Sequence, residues 1–235
     1  MFTKSAMIYD AVFSAKGKDW ADEARKLSAL IKRHKRSAGN TMLDVACGNG
    51  GHVGYLCDEF AITGLDLDPG MLKLAEERFP KIPFHCASMV DFRLNKKFDI
   101  VMCLTSAIGY AKTLESMRQA IRTMSDHVLP GGVLVVEPWI DLKEYKPHTV
   151  HASYVDQPDL KVARINTNVL RGNVSVLEFH YLVGTPEGVE HFTELHELGL
   201  YSHEEYLDAF KATGLDTRYE KEGLIGRGAH IGVRV

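Results

Sequence analysis

The chain has 235 residues, with 28 basic and 31 acidic side chains and a formal net charge of -3. That length fits one large domain with room for an insertion, with a core big enough to need neither disulfides nor metals. The charges are dispersed, so no footprint for a nucleic-acid backbone is present, and no apolar run approaches the roughly 20 residues that span a bilayer.

Residues 1–10 contain no apolar leader-like run, and the expected location is cytoplasmic. Trp20, Ala24, Leu27, Leu30 and Ile31 recur at helical spacing, which predicts an amphipathic helix over about 19–34. A strand over 41–46, a helix over 51–60, a strand over 62–67 and a proline-started helix over 69–79 follow. Strands over 82–86 and 98–104, a helix over about 113–128 and a strand over 133–137 launched by Pro130-Gly131-Gly132 continue the alternation. Such alternation implies right-handed βαβ units and a doubly wound, parallel, Rossmann-like α/β sheet.

The pattern then changes. Extended runs over 150–155, 160–170, 174–183 and 189–201 are separated by turn-forming residues, which predicts an antiparallel meander inserted over 140–201. It would serve as a lid over the site or as a subunit interface. Ser202 to Glu205 has capping-box spacing and starts a helix through Ala212, and two strands, 215–219 and 230–235, complete a seven-stranded sheet within a single domain of residues 1–235.

Three motifs carry chemistry. Leu43-Asp44-Val45-Ala46-Cys47-Gly48-Asn49-Gly50 is a strand entering a small-residue turn, where a ligand can approach the backbone. The spacing is not that of a pyrophosphate-binding G-x-G-x-x-G loop, which disfavours a nicotinamide dehydrogenase and suits an amino-acid moiety. In Gly64-Leu65-Asp66-Leu67-Asp68, Asp66 would accept hydrogen bonds from ribose hydroxyls while Asp68 caps the helix that begins at Pro69. The run Phe98 to Leu104 leads into Thr105-Ser106-Ala107-Ile108-Gly109-Tyr110 at the expected switch point of strand order, where the loops of all three motifs converge.

With these motifs, and with Ser88-Met89 and Leu129 to Gly132, the sequence resembles class I S-adenosylmethionine-dependent methyltransferases. More narrowly, it resembles the N,N-dimethyltransferases of nucleotide-linked 3-amino sugars of the desosamine and mycaminose type. That likeness runs through Tyr9-Asp10, Lys16 to Asp19, Asp91 to Leu94, Gly109-Tyr110, Glu137-Pro138-Trp139, Arg171 to Asn173 and Gly226-Arg227-Gly228.

The resemblance implies S-adenosyl-L-methionine as cofactor, with S-adenosylhomocysteine as product, and a small-molecule partner, a dTDP-linked amino sugar. It implies a cofactor site of Tyr9, Trp20, Ala46, Gly48, Asn49, Gly50, Asp66, Leu67, Met71, Ser88, Met89 and Leu104. Tyr9 and Trp20 would close over the methionine part, Ser88 and Met89 would flank the adenine, and Arg227 would meet phosphates. Phe13, Ser106, Tyr110 and Trp139 would shape the acceptor pocket. Two departures stand out: Ser88 replaces a usual acidic residue, and Phe13 stands where relatives carry a tyrosine near the amine.

Methyl transfer needs alignment and exclusion of water more than covalent machinery, although an alkylammonium must first lose a proton. His180, Glu137 and Tyr110 are the candidates to assist, whereas His127 reads as a helix-terminus residue. No metal is expected, since His191 and His196 fall on opposite faces of one strand. The four cysteines form no CxxC pair and read as free thiols, with Cys86 and Cys103 in buried strands. A homodimer is also expected. Apart from the resemblance, the residues leave open another amine or hydroxyl acceptor, or a non-catalytic cofactor-binding module.

Overall fold

The computed structural model describes residues 4–235, so the first three residues of the stretch read for a leader lie outside it. A seven-stranded sheet has the spatial order β10-β11-β5-β4-β1-β2-β3. Its strands are β1 (Thr41–Val45), β2 (Ala61–Asp66), β3 (Phe84–Cys86), β4 (Phe98–Cys103), β5 (Val128–Val136), β10 (Asp216–Glu220) and β11 (Ala229–Val233). The first five are parallel, and β11 runs antiparallel to both β5 and β10.

Alternation along each central strand divides the core in two. Leu43, Val101, Leu134 and Val136 face helices α5 (Leu114–Asp126) and α6 (His203–Lys211). Met42, Ile100, Met102 and Val135 face α2 (Trp20–His34) and α3 (Val53–Leu56). Leu27 and Ile31 of α2 are fully buried there, and each such side chain contributes about 1.5–3 kcal/mol through removal from water. Asp68 caps α4 (Pro69–Arg78), accepting hydrogen bonds from the amides of Gly70 and Met71. The predicted capping box of Ser202 and Glu205 is present.

Helix α3 is much shorter than the span predicted over 51–60. Gly50 and Gly51 lie in the turn before it and Gly54 within it, and each glycine in a helix costs about 1 kcal/mol relative to alanine. Cys86 is exposed, not buried, because β3 is the edge strand and pairs only with β2. Cys103 lies in the core as expected, and all four thiols are free.

The meander forms a second sheet of β6 (Val150–Gln157), β7 (Leu160–Arg171), β8 (Val174–Thr185) and β9 (Gly188–Gly199), paired in chain order. Its inner face carries Val155, Val162, Leu177, Phe179, Tyr181 and Leu198. Against that face pack Ile8 and Val12, from a segment that includes the short helix α1 (Tyr9–Ala15), an element the sequence pattern did not announce. Among the described residues, no helix is long and apolar enough to cross a membrane.

Candidate active site

The chain proceeds outward from β1 through β2 to β3, then crosses back to β4 on the other side of β1. At this reversal, the carboxyl ends of β1 and β4 leave a crevice, the place where open α/β sheets bind ligands. A cleft of about 260 Å³ lies there, between the large sheet, α1 and the inner face of the small sheet.

The backbone at its floor is strained. Ala46, Thr105 and Ser106 are left-handed, with φ of 60°, 52° and 60°, a conformation that costs a non-glycine residue about 1–2 kcal/mol. The strain is held by specific bonds: Cys47 N donates to Leu65 O, Thr105 N donates to Glu137 Oε2 at 2.6 Å, and Ser106 Oγ donates to Pro138 O at 2.8 Å. Those turns bring the backbone after β1 and β4 to the cleft.

One half of the cleft is acidic and apolar. Asp66 accepts bonds from Gly48 N at 2.8 Å and Asp68 N at 2.9 Å, which fixes its carboxylate at the tip of β2. Burial raises its pKa, opposed by those amides. Burial, followed by the Asp66 charge, pushes Asp44 up to about 8, so Asp44 keeps its proton at neutral pH. Asn49 Oδ1 is buried without a hydrogen-bond partner among the described residues, and Leu67 is 49% exposed at the lip. A half-buried carboxylate, an open acceptor and an exposed apolar lip suit a ligand that combines an ammonium, a ribose and a flat base.

A strap formed by residues 4–20 closes this half. Asp10 accepts from Asn49 Nδ2 at 3.0 Å and from Arg78 Nη1 at 2.8 Å, tying α1 to the loop after β1. Trp20 lies against that loop so closely that a Cβ on Gly51 would come within 2.8 Å of its ring. A buried network supports it: Lys18 Nζ bonds Glu23 Oε2 at 2.7 Å and Thr105 Oγ1 at 3.1 Å, and His52 Nε2 meets Glu23 Oε2 at 3.0 Å.

The other half of the cleft is cationic and aromatic. Arg227 Nη1 donates to Ser106 Oγ at 2.9 Å, and its guanidinium lies 4.9 Å from the Trp139 ring. The neighbouring Gly228 has φ +83°, and a Cβ there would fall 2.3 Å from Tyr219 Oη, so only glycine allows this loop path. Arg164, buried on β7, lies over Phe179, and Lys16 stands at the mouth. Burial, then Arg164 and Arg227, lower the Lys16 pKa to about 8. Among the described residues, none of these three cations is ion-paired with a carboxylate.

Of the residues expected in the cofactor site, all but Gly50 line the cleft; Gly50 sits just behind, against Phe79. Phe13, Ser106, Tyr110, Trp139 and Arg227 also line it. Two expectations are corrected. His180 points to the outer face of the small sheet, where it lies beside Glu178 and stacks on His191, because its neighbours Phe179 and Tyr181 take the inner face. Glu137 is fully buried and holds the Thr105 amide in the left-handed turn, so it braces the floor and does not line the cleft. His127 ends α5 as expected, with Nδ1 on Thr123 O and Nε2 accepting from Leu94 N.

Lys16, Arg164, Phe179 and His196 were not anticipated in the site. His191 and His196 do face opposite ways, His191 outward and His196 into the cleft. Among the described residues, no group of His, Cys, Asp and Glu is arranged to hold a metal.

The sequence pattern of the methyltransferase domain matches residues 42–132. The dTDP-3-amino-3,4,6-trideoxy-alpha-D-glucopyranose N,N-dimethyltransferase of Streptomyces venezuelae is 39% identical over 230 residues, covering 97% of each chain. The dTDP-3-amino-3,6-dideoxy-alpha-D-glucopyranose N,N-dimethyltransferase of Streptomyces fradiae is 38% identical over 97% of this chain and 90% of its own. Among solved structures, Streptomyces venezuelae DesVI superposes with a TM-score of 0.93 at 37% identity over 98% of both chains. SAM-bound CalS10, an amino pentose methyltransferase from Micromonospora echinaspora involved in calicheamicin biosynthesis, superposes at 0.87 with 35% identity over 97% of both. At this identity over nearly its whole length, the chain belongs to the family of N,N-dimethyltransferases that bear those names.

Proposed function

We propose that this enzyme methylates the amino group of a dTDP-linked amino sugar, twice in succession, using S-adenosylmethionine, in the assembly of an antibiotic sugar. The observation that carries the substrate half of this reading is the trio Lys16, Arg164 and Arg227, cations without carboxylate partners among the described residues, beside an aromatic acceptor pocket. A diphosphate brings the counter-charge they lack, and a guanidinium matches phosphate geometry.

S-adenosylmethionine supplies a methyl group on a sulfonium, and the electron pair of the broken C–S bond stays on sulfur. The protein's part is placement. Asp66 would hold the ribose hydroxyls, Asn49 Oδ1 the ammonium, Leu67, Ser88 and Met89 the adenine, and Tyr9 and Trp20 of the strap would exclude water. Trp139, whose buried indole N–H has no partner among the described residues, and Phe13 would wall the sugar. Ser88 keeps a hydroxyl for the adenine amino group, so the loss of an acidic residue there leaves one hydrogen bond available. The four free thiols agree with a reducing, cytoplasmic setting.

Incubation with dTDP-3-amino-3,6-dideoxyglucose and S-adenosylmethionine, followed by mass spectrometry, tests this. Products heavier by one and then two methylene units are expected. Methylation of phosphate-free amines with none of the nucleotide sugar would overturn the substrate class.

The outer face of the small sheet supports a homodimer. Tyr154, Ile165, Leu182 and Leu195 share that face and are 65%, 44%, 51% and 53% exposed. Such an apolar patch on all four strands is self-complementary across a two-fold axis. Light scattering is expected to give twice the chain mass for the native protein and the monomer mass for Ile165→Asp/Leu195→Asp.

A further inference from the structure

Tyr110, on the turn after β4, is hydrogen-bonded through its hydroxyl to His196 Nδ1 at 2.6 Å. On the far side of the imidazole, His196 Nε2 lies 3.5 Å from Glu194 Oε2. His196 is 1% exposed, and Phe179 meets its ring edge-on at 5.0 Å. Glu194 in turn accepts from Ser5 Oγ at 2.6 Å and from Ser5 N at 3.0 Å. Both Tyr110 and His196 line the acceptor half of the cleft. Four groups from three parts of the chain thus form one line: strap, β9 carboxylate, β9 imidazole and the phenol at the switch point.

The geometry points to a proton relay, not recorded in the motifs above, in which Tyr110 receives a proton from the substrate ammonium and His196, oriented by Glu194, takes the phenol's own proton. The inference rests on the methyl-acceptor reading just proposed. Burial lowers the His196 pKa, with Arg164 acting in the same direction and Glu194 opposing it. The ring is therefore neutral, with Nε2–H toward Glu194 and Nδ1 left to accept from Tyr110. Burial also raises the Tyr110 pKa well above its usual value, so the phenol passes protons without resting as phenolate.

The balance is simple. The substrate ammonium gives one proton to Tyr110 Oη, the Tyr110 proton moves to His196 Nδ1, and the products are a neutral amine, an intact phenol and an imidazolium paired with Glu194. Among the described residues, the charged groups facing His196 are Glu194 on its own strand and Arg164 on β7; Tyr110 is the titratable group on the turn after β4. Once the imidazolium has given its proton up to solvent, restoring neutral His196, the ammonium formed by the first methylation can lose its own proton along the same line before the second methyl is added. Glu194 is a positioning residue here. Because Ser5 binds the same carboxylate, the strap that closes over the cleft also fixes the relay.

The first test needs no substrate. In protein labelled with 15N-histidine, His196 is expected as the neutral Nε2–H tautomer, and Tyr110→Phe is expected to shift the Nδ1 resonance by removing its donor. An Nδ1–H tautomer, or an imidazolium at neutral pH, would overturn the relay even if methylation is observed.

The second test uses dTDP-3-amino-3,6-dideoxyglucose. Tyr110→Phe and His196→Gln are each expected to lower kcat about 10- to 100-fold, with KM for S-adenosylmethionine unchanged. The double variant is expected to be no slower than the slower single variant, since one chain is broken once. Glu194→Gln is expected to move the acidic limb of the kcat profile to lower pH, because His196 loses the carboxylate that holds its proton. Multiplicative losses in the double variant, with an unmoved pH profile, would reduce the trio to packing. If wild type turns over no amino sugar, the substrate proposal fails and the 15N result alone decides the relay.

Discussion

Asp66→Ala is expected to weaken S-adenosylhomocysteine binding by about 100-fold or more, since two hydrogen bonds to a charged group are each worth about 1.5–3 kcal/mol. The structure gives a second reason for a large effect. Asp66 Oδ2 holds Gly48 N in the loop after β1, and Oδ1 holds Asp68 N at the start of α4. Removing the carboxylate therefore frees the backbone on both sides of the cofactor half. Asp66→Asn keeps one oxygen acceptor and is expected to lose about tenfold. Calorimetry with S-adenosylhomocysteine reads both variants, and thermal melting without ligand separates lost contacts from lost folding. Binding of Asp66→Ala within threefold of wild type would remove Asp66 from the ribose site.

The parts of this site that were legible in the sequence are those where backbone and side chain obey one local rule. The small residues after β1, the acidic tip of β2 and the proline-started helix behind Asp68 each follow from chain geometry within a few residues. The meander was legible for the same reason: alternation and turns such as Arg171-Gly172-Asn173 are local. The acceptor half depends on which sheet face turns inward, and that is set by contacts far away in sequence.

His180 shows the difference. Parity correctly separates His191 from His196, yet the same rule turns His180 outward once Leu177, Phe179 and Tyr181 are seen to form the inner face. Nothing local in the 160–170 run marks which face turns inward, and Val162, Arg164, Asn166 and Asn168 are all buried on the inward side. That polar inward row is a signal of a ligand-facing strand, and it becomes readable only when the face is known. Helix α1 was invisible because its apolar residues pack on the small sheet and not on the core that the βαβ pattern predicts.

Arg227→Ala is expected to raise KM for the nucleotide-linked sugar about 100-fold, the loss of a bidentate, charge-assisted contact, while S-adenosylhomocysteine binding stays within about twofold because Arg227 lies in the other half of the cleft. Arg227→Lys is expected to recover only part of the loss, since an ammonium keeps the charge but not the fork. Lys16 adds a pH signature to the same contact. In the free enzyme its pKa is lowered to about 8, first by burial and then by Arg164 and Arg227. A bound diphosphate opposes all three positive charges and favours the protonated lysine, so the pKa rises on binding. Near pH 8, binding should therefore take up a fraction of a proton, whereas near pH 6, where Lys16 is already charged, uptake should vanish. Affinity should fall as the pH rises through 8, because free Lys16 loses the charge that the phosphates need. Calorimetric titration of thymidine diphosphate in buffers of different ionisation enthalpy measures the uptake directly, and Lys16→Met should abolish it. Equal uptake in wild type and Lys16→Met would assign the proton to another group and leave Lys16 outside the diphosphate contact.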